Sequence, residues 1–269
     1  MPELPEIVAR AREMKRALVG KSIAAIEVLQ PKCLNVPPER FIAALTGARL
    51  LDVTQRGKWL FVKTTQGWLL LNLGMGGEIL LVTRDTLPEK YRLVFDFDDA
   101  TCLSVNFWWF GYAHYVPSGD LDSHAMTAKL GPNALDLTAN DLRDLLQGRR
   151  GRIKSYLLNQ SHIAGIGNFY IHDILFLARL HPLRPANTLT DACVNALAAA
   201  IRNGLQPSIK KGGAFYEVNL YGQKGGFTQE DILIGYKESQ PCPICGTVIE
   251  KIKTGSTSSF ICPRCQPLE

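Results

Sequence analysis

Apolar and polar residues follow two different periods along the chain, and each period predicts a different structure. In residues 5–19 the apolar side chains from Ile7 to Leu18 recur at helical spacing, and Gly20 follows as a stop signal, which predicts an amphipathic helix. From about 22 to 117 the apolar residues form short β-rich runs separated by turns, which predict a sandwich or flattened barrel. These runs are Ile23–Leu29, Leu50–Thr54, Trp59–Thr64, Trp68–Leu73, Glu78–Val82, Tyr91–Phe97 and Thr101–Val105.

The second half of the chain returns to a helical period. A linker covers 117–132, and a glycine-rich polar segment covers 211–227. Between them lie four helical patterns, at 138–147, 152–160, 168–179 and 189–204. The predicted fold class is therefore α+β, with a β domain in 1–132, a helical domain in 133–232 and a cysteine-containing hairpin in 233–269.

Composition and charge narrow the class of protein. Hydrophobic residues make up 46% of the 269 residues, which argues against a mainly disordered chain. The sequence has neither a membrane-length apolar run nor a secretory signal, so a cytoplasmic protein with no membrane partner is expected. Residues 149–269 carry 14 basic and 8 acidic side chains, against 16 and 17 in 1–148. A basic half of this size slightly favours a polyanionic partner.

Four of the seven cysteines form two close pairs. Cys242 and Cys245 are followed, after sixteen residues, by Cys262 and Cys265. Two CxxC pairs suit a closed tetrahedral site for one structural Zn²⁺. A disulfide framework is the alternative, and the absence of a signal peptide speaks against it.

The N-terminal segment contains a candidate nucleophile. Removal of Met1, which a small second residue permits, would give Pro2 a free secondary amine. An α-amine titrates at about pH 8, so it can attack an electrophilic carbon and form an iminium. Glu3 and Glu6 are close enough in sequence to move protons. The alternative is an ordinary frayed terminus before a helix that has Pro5 in its first turn.

A second candidate site is the turn in residues 160–170. Gly165 and Gly167 permit a tight turn, and Asn168 then starts a helix whose free N–H groups can receive a phosphate. Lys154 lies on the preceding helical pattern. An N-cap role for Asn168 is the alternative.

Six motifs together resemble one family. They are Pro2–Glu6 (PELPE), Arg56–Lys58, Leu73–Met75, Leu130–Pro132, Ala164–Tyr170 and Cys262–Gln266. Their order and their span over nearly the whole chain are similar to the formamidopyrimidine-DNA glycosylase / endonuclease VIII family of base-excision repair enzymes.

The resemblance implies a fold, a partner and a reaction. The fold would be an N-terminal helix plus a β-sandwich domain, then a helix-two-turn-helix domain with a zinc-finger β-hairpin. The protein would bind damaged DNA as a monomer. In a bacterial cell the protein would be associated with the nucleoid. The activity would be a DNA glycosylase with AP-lyase activity, which flips an oxidised base and cleaves the strand by β/δ-elimination.

The resemblance also assigns roles to individual residues. Pro2 would attack C1′ of the damaged nucleotide, Glu3 would act as acid and base on the sugar, and Glu6 would support the terminus. Lys58 would be a further catalytic residue that, with Asn168, holds the flanking phosphates, and Met75 would fill the vacated stack. The other expected DNA contacts are Trp109, Phe110, Lys154, Lys251, Lys253 and Arg264.

The chain departs from the family in the residues expected to face DNA. Asn106–Gly111 (NFWWFG) replaces an arginine-containing loop that reads the base opposite the lesion. Tryptophan offers one donor and a stacking face in place of a bidentate fork. This favours an altered lesion choice, away from 8-oxoguanine:cytosine, and extends the partner to loosely paired or single-stranded DNA. One of the two tryptophans, Trp108, is expected to pack inward.

Smaller departures concern single positions. Thr257 stands where the zinc hairpin often has a phosphate-binding arginine, and Asn72 replaces a histidine, with a strand-end turn role as its alternative. His172 and Asp173 replace a pair of acids.

Two other functions stay open at this point. One is an AP-site lyase or DNA-structure-binding paralogue with little base release, and the other is an unrelated zinc-ribbon module.

Overall fold

Eight strands build two antiparallel sheets in the first half of the chain. In chain order the strands are β1 (Ile23–Val28), β2 (Leu50–Arg56), β3 (Trp59–Thr64), β4 (Gly67–Asn72), β5 (Glu78–Thr83), β6 (Leu93–Phe97), β7 (Thr101–Asn106) and β8 (Tyr112–Val116). One sheet has the order β1-β6-β7-β5 and the other has the order β2-β3-β4-β8.

The structure, a computed structural model, describes residues 1–268. The chain divides into two units, of which the first contains Met1–Lys129 and also Lys211–Gly226. The second contains Leu130–Lys210 and the chain from Phe227 onwards. The glycine-rich segment 211–226 therefore belongs structurally to the β unit, although it follows the helical region in sequence.

Helix α1 (Leu4–Leu18) closes the core of the first unit. Its apolar stripe, which includes Ile7, Met14 and Leu18, joins inward-facing residues of both sheets in one buried cluster. A second helix, α2 (Pro38–Leu45), contributes Phe41 and Leu45 to the same cluster. Burial of one such apolar face against a sheet stabilises the helix far more than its intrinsic propensity does.

Four helices form most of the second unit. They are α3 (Ala139–Leu146), α4 (Ile153–Leu158), α5 (Ile171–Leu177) and α6 (Asp191–Lys210). Gly204 of α6 faces α5 so closely that a Cβ there would lie 2.7 Å from Ile174 Cγ1. This glycine permits the two helices to pack together, and α6 continues past it and through Pro207.

A two-stranded hairpin follows in the second unit. Strands β9 (Glu250–Thr254) and β10 (Thr257–Ile261) pair in register, with Thr254 opposite Thr257 at the turn. None of the helices in residues 1–268 combines the length and the hydropathy needed to cross a lipid bilayer.

The fold class predicted from the sequence is confirmed, with differences in individual elements. Strand β8 and helix α2 were not among the predicted elements, and α6 ends six residues later than the predicted pattern. Helix α5 begins at Ile171 with Tyr170 as its N-cap, so Asn168 neither starts the helix nor caps it.

Candidate active site

The N-terminal residues are buried and fixed by one carboxylate. Pro2 and Glu3 are buried, and the Glu3 backbone N–H donates to Glu6 Oε2 at 2.8 Å. The other Glu6 oxygen, Oε1, accepts the backbone N–H of Ala214 at 3.1 Å. Glu6 therefore holds the start of α1 and the start of segment 211–226 at the same point.

Two more residues of α1 bind the same segment. Arg10 donates to the carbonyl of Val218, and Glu13 Oε2 accepts the N–H of Leu220 at 2.9 Å. Glu6, Arg10 and Glu13 are four and three residues apart, so their side chains share one face of the helix. The two glutamates accept backbone N–H groups of the segment, and the arginine between them donates to a backbone carbonyl.

One further carboxylate lies beside the N-terminus. Glu217 Oε1 is 3.6 Å from the amine nitrogen of Met1, and the Glu217 side chain is 13% exposed. Burial, reinforced by the Glu6 carboxylate, raises the pKa of Glu217 to about 7, while the terminal amine and Arg10 act in the opposite direction. A carboxyl of this kind exchanges its proton near neutral pH.

Lys58 and Met75 are linked through one amide side chain. Lys58 lies in the turn between β2 and β3, and its carbonyl accepts from Asn72 Nδ2 at 3.1 Å. Asn72 Oδ1 accepts the N–H of Gly74 at 3.0 Å, immediately before Met75. Asn72 therefore has the strand-end role proposed as its alternative, and it connects two segments expected to contact DNA.

An exposed apolar surface is formed by four side chains of the first unit. The exposed fractions are 48% for Met75, 68% for Trp108, 64% for Trp109 and 70% for Phe110. The prediction that Trp108 packs inward is wrong, since it is Phe107, 2% exposed, that enters the core. We call these four side chains, Met75, Trp108, Trp109 and Phe110, the aromatic platform.

Backbone contacts hold the two loops of the aromatic platform together. Met75 N–H donates to the Trp109 carbonyl at 2.9 Å, and Trp108 N–H donates to the Met75 carbonyl at 3.2 Å. Gly74 has a φ of +54°, and a Cβ there would lie 2.6 Å from Gly111 N. The backbone of the aromatic platform is therefore fixed, and the turn beneath it requires glycine at position 74.

The glycine turn of the second unit presents a polar side chain. Gly165 N–H donates to Gln160 Oε1 at 2.9 Å, and Gln160 Nε2 donates to the Ile166 carbonyl at 2.8 Å. Asn168 follows this braced turn, and its Oδ1 is buried without a hydrogen-bond partner. Such a buried, unpaired oxygen usually has a ligand or a water as its partner.

Lys154 is buried beneath the turn of the β9–β10 hairpin. Its exposed fraction is 2%, and Nζ donates to Thr254 Oγ1 at 3.2 Å, Thr257 Oγ1 at 3.1 Å and the Ser258 carbonyl at 2.6 Å. Burial lowers the pKa of Lys154 to about 8. The ammonium thus supports Thr257, the residue that occupies the position of the family's hairpin arginine.

The remaining cationic candidates are exposed. Lys251 and Lys253 lie on β9, and Arg264 lies between the last two cysteines. Lys251 is 3.9 Å from Glu238, an exposed ion pair that contributes little to stability. All three side chains are exposed and accessible to a polyanion.

The four paired cysteines form one cluster. Their sulfur atoms all lie within 4.8 Å of one another, and Cys245 Sγ is 3.5 Å from the Sγ of both Cys262 and Cys265. A tetrahedral Zn²⁺ with Zn–S bonds of about 2.3 Å requires sulfur separations of roughly 3.8 Å. A disulfide requires about 2.05 Å, so the disulfide interpretation is wrong.

Backbone donors also fit the metal. Ile244 N–H points to Cys242 Sγ at 3.5 Å, and Cys265 N–H points to Cys262 Sγ at 3.4 Å, which is how thiolates bound to zinc are supported. Four protein ligands leave no open position, so the group that these cysteines would hold is one structural Zn²⁺.

Comparison with known proteins assigns this arrangement to a family. Three family models match in order: the formamidopyrimidine-DNA glycosylase N-terminal domain over 1–106, its H2TH domain over 130–219, and the zinc finger found in FPG and IleRS over 239–268. A formamidopyrimidine-DNA glycosylase of Chloroflexus aurantiacus is 36% identical and covers 99% of this chain and 98% of its own length. The chain belongs to the formamidopyrimidine-DNA glycosylase family.

Other members of the family agree over similar lengths. A formamidopyrimidine-DNA glycosylase of Symbiobacterium thermophilum is 34% identical, over 100% of this chain and 90% of its own. Among solved structures, Lactococcus lactis Fpg in complex with abasic-site DNA has a TM-score of 0.91 at 30% identity, over 98% of this chain and 99% of that one. A MutM structure with carbocyclic 8-oxo-G DNA has a TM-score of 0.90 at 31% identity, over 99% and 100%.

Two residues at the centre of the second unit have roles that sequence reasoning did not assign. The Asp173 carboxylate accepts the backbone N–H groups of Leu233, Ile234 and Gly235 at 2.8, 3.0 and 2.9 Å, although burial raises its pKa. His172 is 1% exposed, and its ring packs edge-on against Phe260 of β10. His172 and Asp173, which replace the family's pair of acids, therefore have a structural role in this chain.

Proposed function

We propose that this chain is a DNA glycosylase with AP-lyase activity whose nucleophile is the Pro2 amine. After removal of Met1, the Pro2 nitrogen attacks C1′ of a flipped nucleotide, and the glycosidic bond breaks with its electron pair leaving on the base. Loss of the amine proton gives a neutral aminal; the C1′–O4′ bond then breaks, O4′ takes up a proton as the sugar ring opens, and the iminium forms between Pro2 N and C1′. Removal of a C2′ proton then breaks the bond between C3′ and its phosphate, and elimination at the 5′ side follows.

The fixed N-terminus is the observation that carries this proposal. The Glu6 carboxylate accepts the backbone N–H groups of both Glu3 and Ala214. Pro2, which precedes Glu3 and is buried, is therefore held in one position. A terminus with no chemical task is ordinarily exposed and frayed. Glu3 is placed beside Pro2 to exchange protons with the sugar, and Lys58, in its glycine turn, supplies a positive charge for phosphate.

The aromatic platform supports DNA binding with an altered choice of lesion. Its side chains can fill the gap left by a flipped base and stack on bases that have lost their partners. A tryptophan in this loop cannot form the bidentate contact that an arginine would make to an opposite base. The proposed substrates are therefore oxidised bases accepted with little regard for the opposite base, including lesions in loosely paired DNA.

The activity is tested on a duplex that carries one oxidised base, in parallel with the same duplex carrying a preformed abasic site. We expect release of the damaged base together with strand cleavage, measured by mass spectrometry and gel electrophoresis. Cleavage of the abasic duplex without base release from a panel of oxidised purines and pyrimidines would instead support the paralogue with lyase activity alone. If protein that begins at Pro2 gives neither base release nor strand cleavage, the proposal is refuted.

Opposite-base selectivity has its own test. Trp109→Arg should raise the preference for cytosine opposite the lesion by about 10-fold or more, because one bidentate contact to a base discriminates by roughly 1–3 kcal/mol. Trp108→Arg adds the same charge to the neighbouring exposed position and serves as the matched control. An unchanged preference in the Trp109 variant would contradict the assignment of this loop to base reading.

A further inference from the structure

The backbone of Glu217 is fixed by hydrogen bonds, and its largely buried side chain faces the N-terminus. Its backbone N–H donates to the Ala214 carbonyl at 3.0 Å, and its carbonyl accepts from Gly225 at 3.0 Å. Ala214 and Val218 on either side are bound by Glu6 and Arg10 of α1. The main chain is thereby fixed, and the carboxyl is left directed at the terminal amine 3.6 Å away.

Met1 marks the space that the substrate must enter. The Pro2 nitrogen is bonded to the carbonyl carbon of Met1 by about 1.33 Å, and in the proposed reaction the same nitrogen bonds to C1′ at a similar length. The Met1 carbonyl carbon therefore occupies the position of C1′, and the Met1 amine nitrogen lies two bonds beyond it. Atoms two bonds beyond C1′ in the nucleotide include those of the base ring.

The Glu217 carboxyl thus lies 3.6 Å from a position that an atom of the base would take. Glu3 and Glu6, the other carboxylates near Pro2, precede or belong to the first turn of α1, and Glu6 already accepts two backbone N–H groups. A base that leaves as an anion needs a proton, and a partly buried carboxyl that titrates near neutrality is suited to supply it. The charged groups that face Glu217 are Glu6 and Arg10 on α1 and the amine of Met1, which is lost when Met1 is removed.

We propose that Glu217 is the general acid that protonates the departing base. The bond from Pro2 N to C1′ forms as the glycosidic bond breaks, the electron pair moves to the base, and the Glu217 proton transfers to the base. The resulting carboxylate regains a proton from solvent. This inference rests on the proposed function, because it requires Pro2 to attack C1′, and it adds a residue used only in the base-release step.

The two steps of the reaction separate this role from a structural one. Glu217→Gln keeps the size and a hydrogen-bond donor of the side chain but cannot give up a proton. At pH 6 we expect base release from lesion-containing DNA to fall by about 100-fold, a typical contribution of a general acid. Strand cleavage at a preformed abasic site, from which no base departs, should change by less than about twofold.

The pH profile supplies a second readout. Burial raises the pKa of Glu217, so base release should decline as rising pH deprotonates this acid, and the decline should be absent in Glu217→Gln. Glu89→Gln removes one carboxylate from an exposed loop of the same unit and should retain both rates.

Three outcomes would overturn the inference, and they differ in what else they affect. Equal losses in base release and abasic-site cleavage would make Glu217 a structural residue, and an unchanged rate of base release with an unchanged pH profile would remove it from the reaction. Failure of the unmodified protein to cleave abasic DNA would refute the proposed function and the inference with it.

Discussion

Gly74→Ala is expected to disrupt the aromatic platform from beneath. An added Cβ would lie 2.6 Å from both Gly111 N and the carbonyl carbon of Phe110, so the two loops must separate. Separation breaks the two hydrogen bonds between Met75 and residues 108–109, at about 1 kcal/mol each. The left-handed backbone, with φ of +54°, adds about 1–2 kcal/mol for a residue with a Cβ. The sum is about 3–4 kcal/mol, or a decrease in Tm of roughly 10 °C.

Gly119→Ala is the matched control for this prediction. Gly119 also has a positive φ, +96°, but no atom lies within 4 Å of its added Cβ. It should therefore show only the backbone cost of about 1–2 kcal/mol and full DNA affinity. The assay is thermal unfolding together with binding to abasic-site DNA by fluorescence anisotropy. Equal losses of Tm in the two variants, with unchanged DNA binding by Gly74→Ala, would refute the packing argument.

Three further predictions concern stability and the metal. Burial and the neighbouring His124 lower the pKa of His114 to about 4, so between pH 6.5 and 4 the unfolded chain binds a proton at this residue that the folded chain excludes. His114 should therefore contribute a loss of stability of up to about 1.4 kcal/mol per unit as the pH falls, measured by urea unfolding as the difference in slope between the unmodified protein and His114→Gln; equal slopes would contradict the assignment. Asp173→Asn removes the acceptor of the Leu233 N–H and should cost about 2 kcal/mol in urea unfolding, whereas Asp136→Asn, in a surface turn, should cost less than about 0.5. Chelation of Zn²⁺ should weaken DNA binding and leave the circular-dichroism signal of the β unit intact; unimpaired binding would show that the hairpin is not a DNA element.

The strands and most helices could be predicted because their signals are local. The continuous apolar runs that become the buried strands β3 and β4 and the helical stripe of α1 can be read directly from the sequence. Strand β8 was missed because it has only five residues and continues the aromatic run of the preceding loop, interrupted by Gly111 alone. Gly204 ended the predicted last helix because glycine is a common stop, but here its missing Cβ accommodates Ile174.

The site could be predicted only where it depends on residue type. The four cysteines were identified from their spacing, whereas Pro2 and Glu3 were candidates whose predicted roles came from the family resemblance. The contacts of Glu6, Arg10 and Glu13 with segment 211–226 join residues about 200 positions apart, and no local pattern reports them. The same holds for Lys154 beneath Thr257 and for Glu217, whose environment exists only in the folded chain. Trp108 was expected to pack inward, but Phe107 enters the core instead, because the end of a strand decides which of two adjacent aromatic residues faces the core.

Covalent trapping tests the central claim most directly. Protein that begins at Pro2, as verified by intact mass, is incubated with DNA containing one abasic site and reduced with borohydride, and the adduct is located by peptide mapping. The account predicts a single adduct on the N-terminal peptide, at the Pro2 nitrogen, and none when that amine is blocked. An adduct on a lysine-containing peptide, or no adduct from protein with a free Pro2 amine, would contradict it.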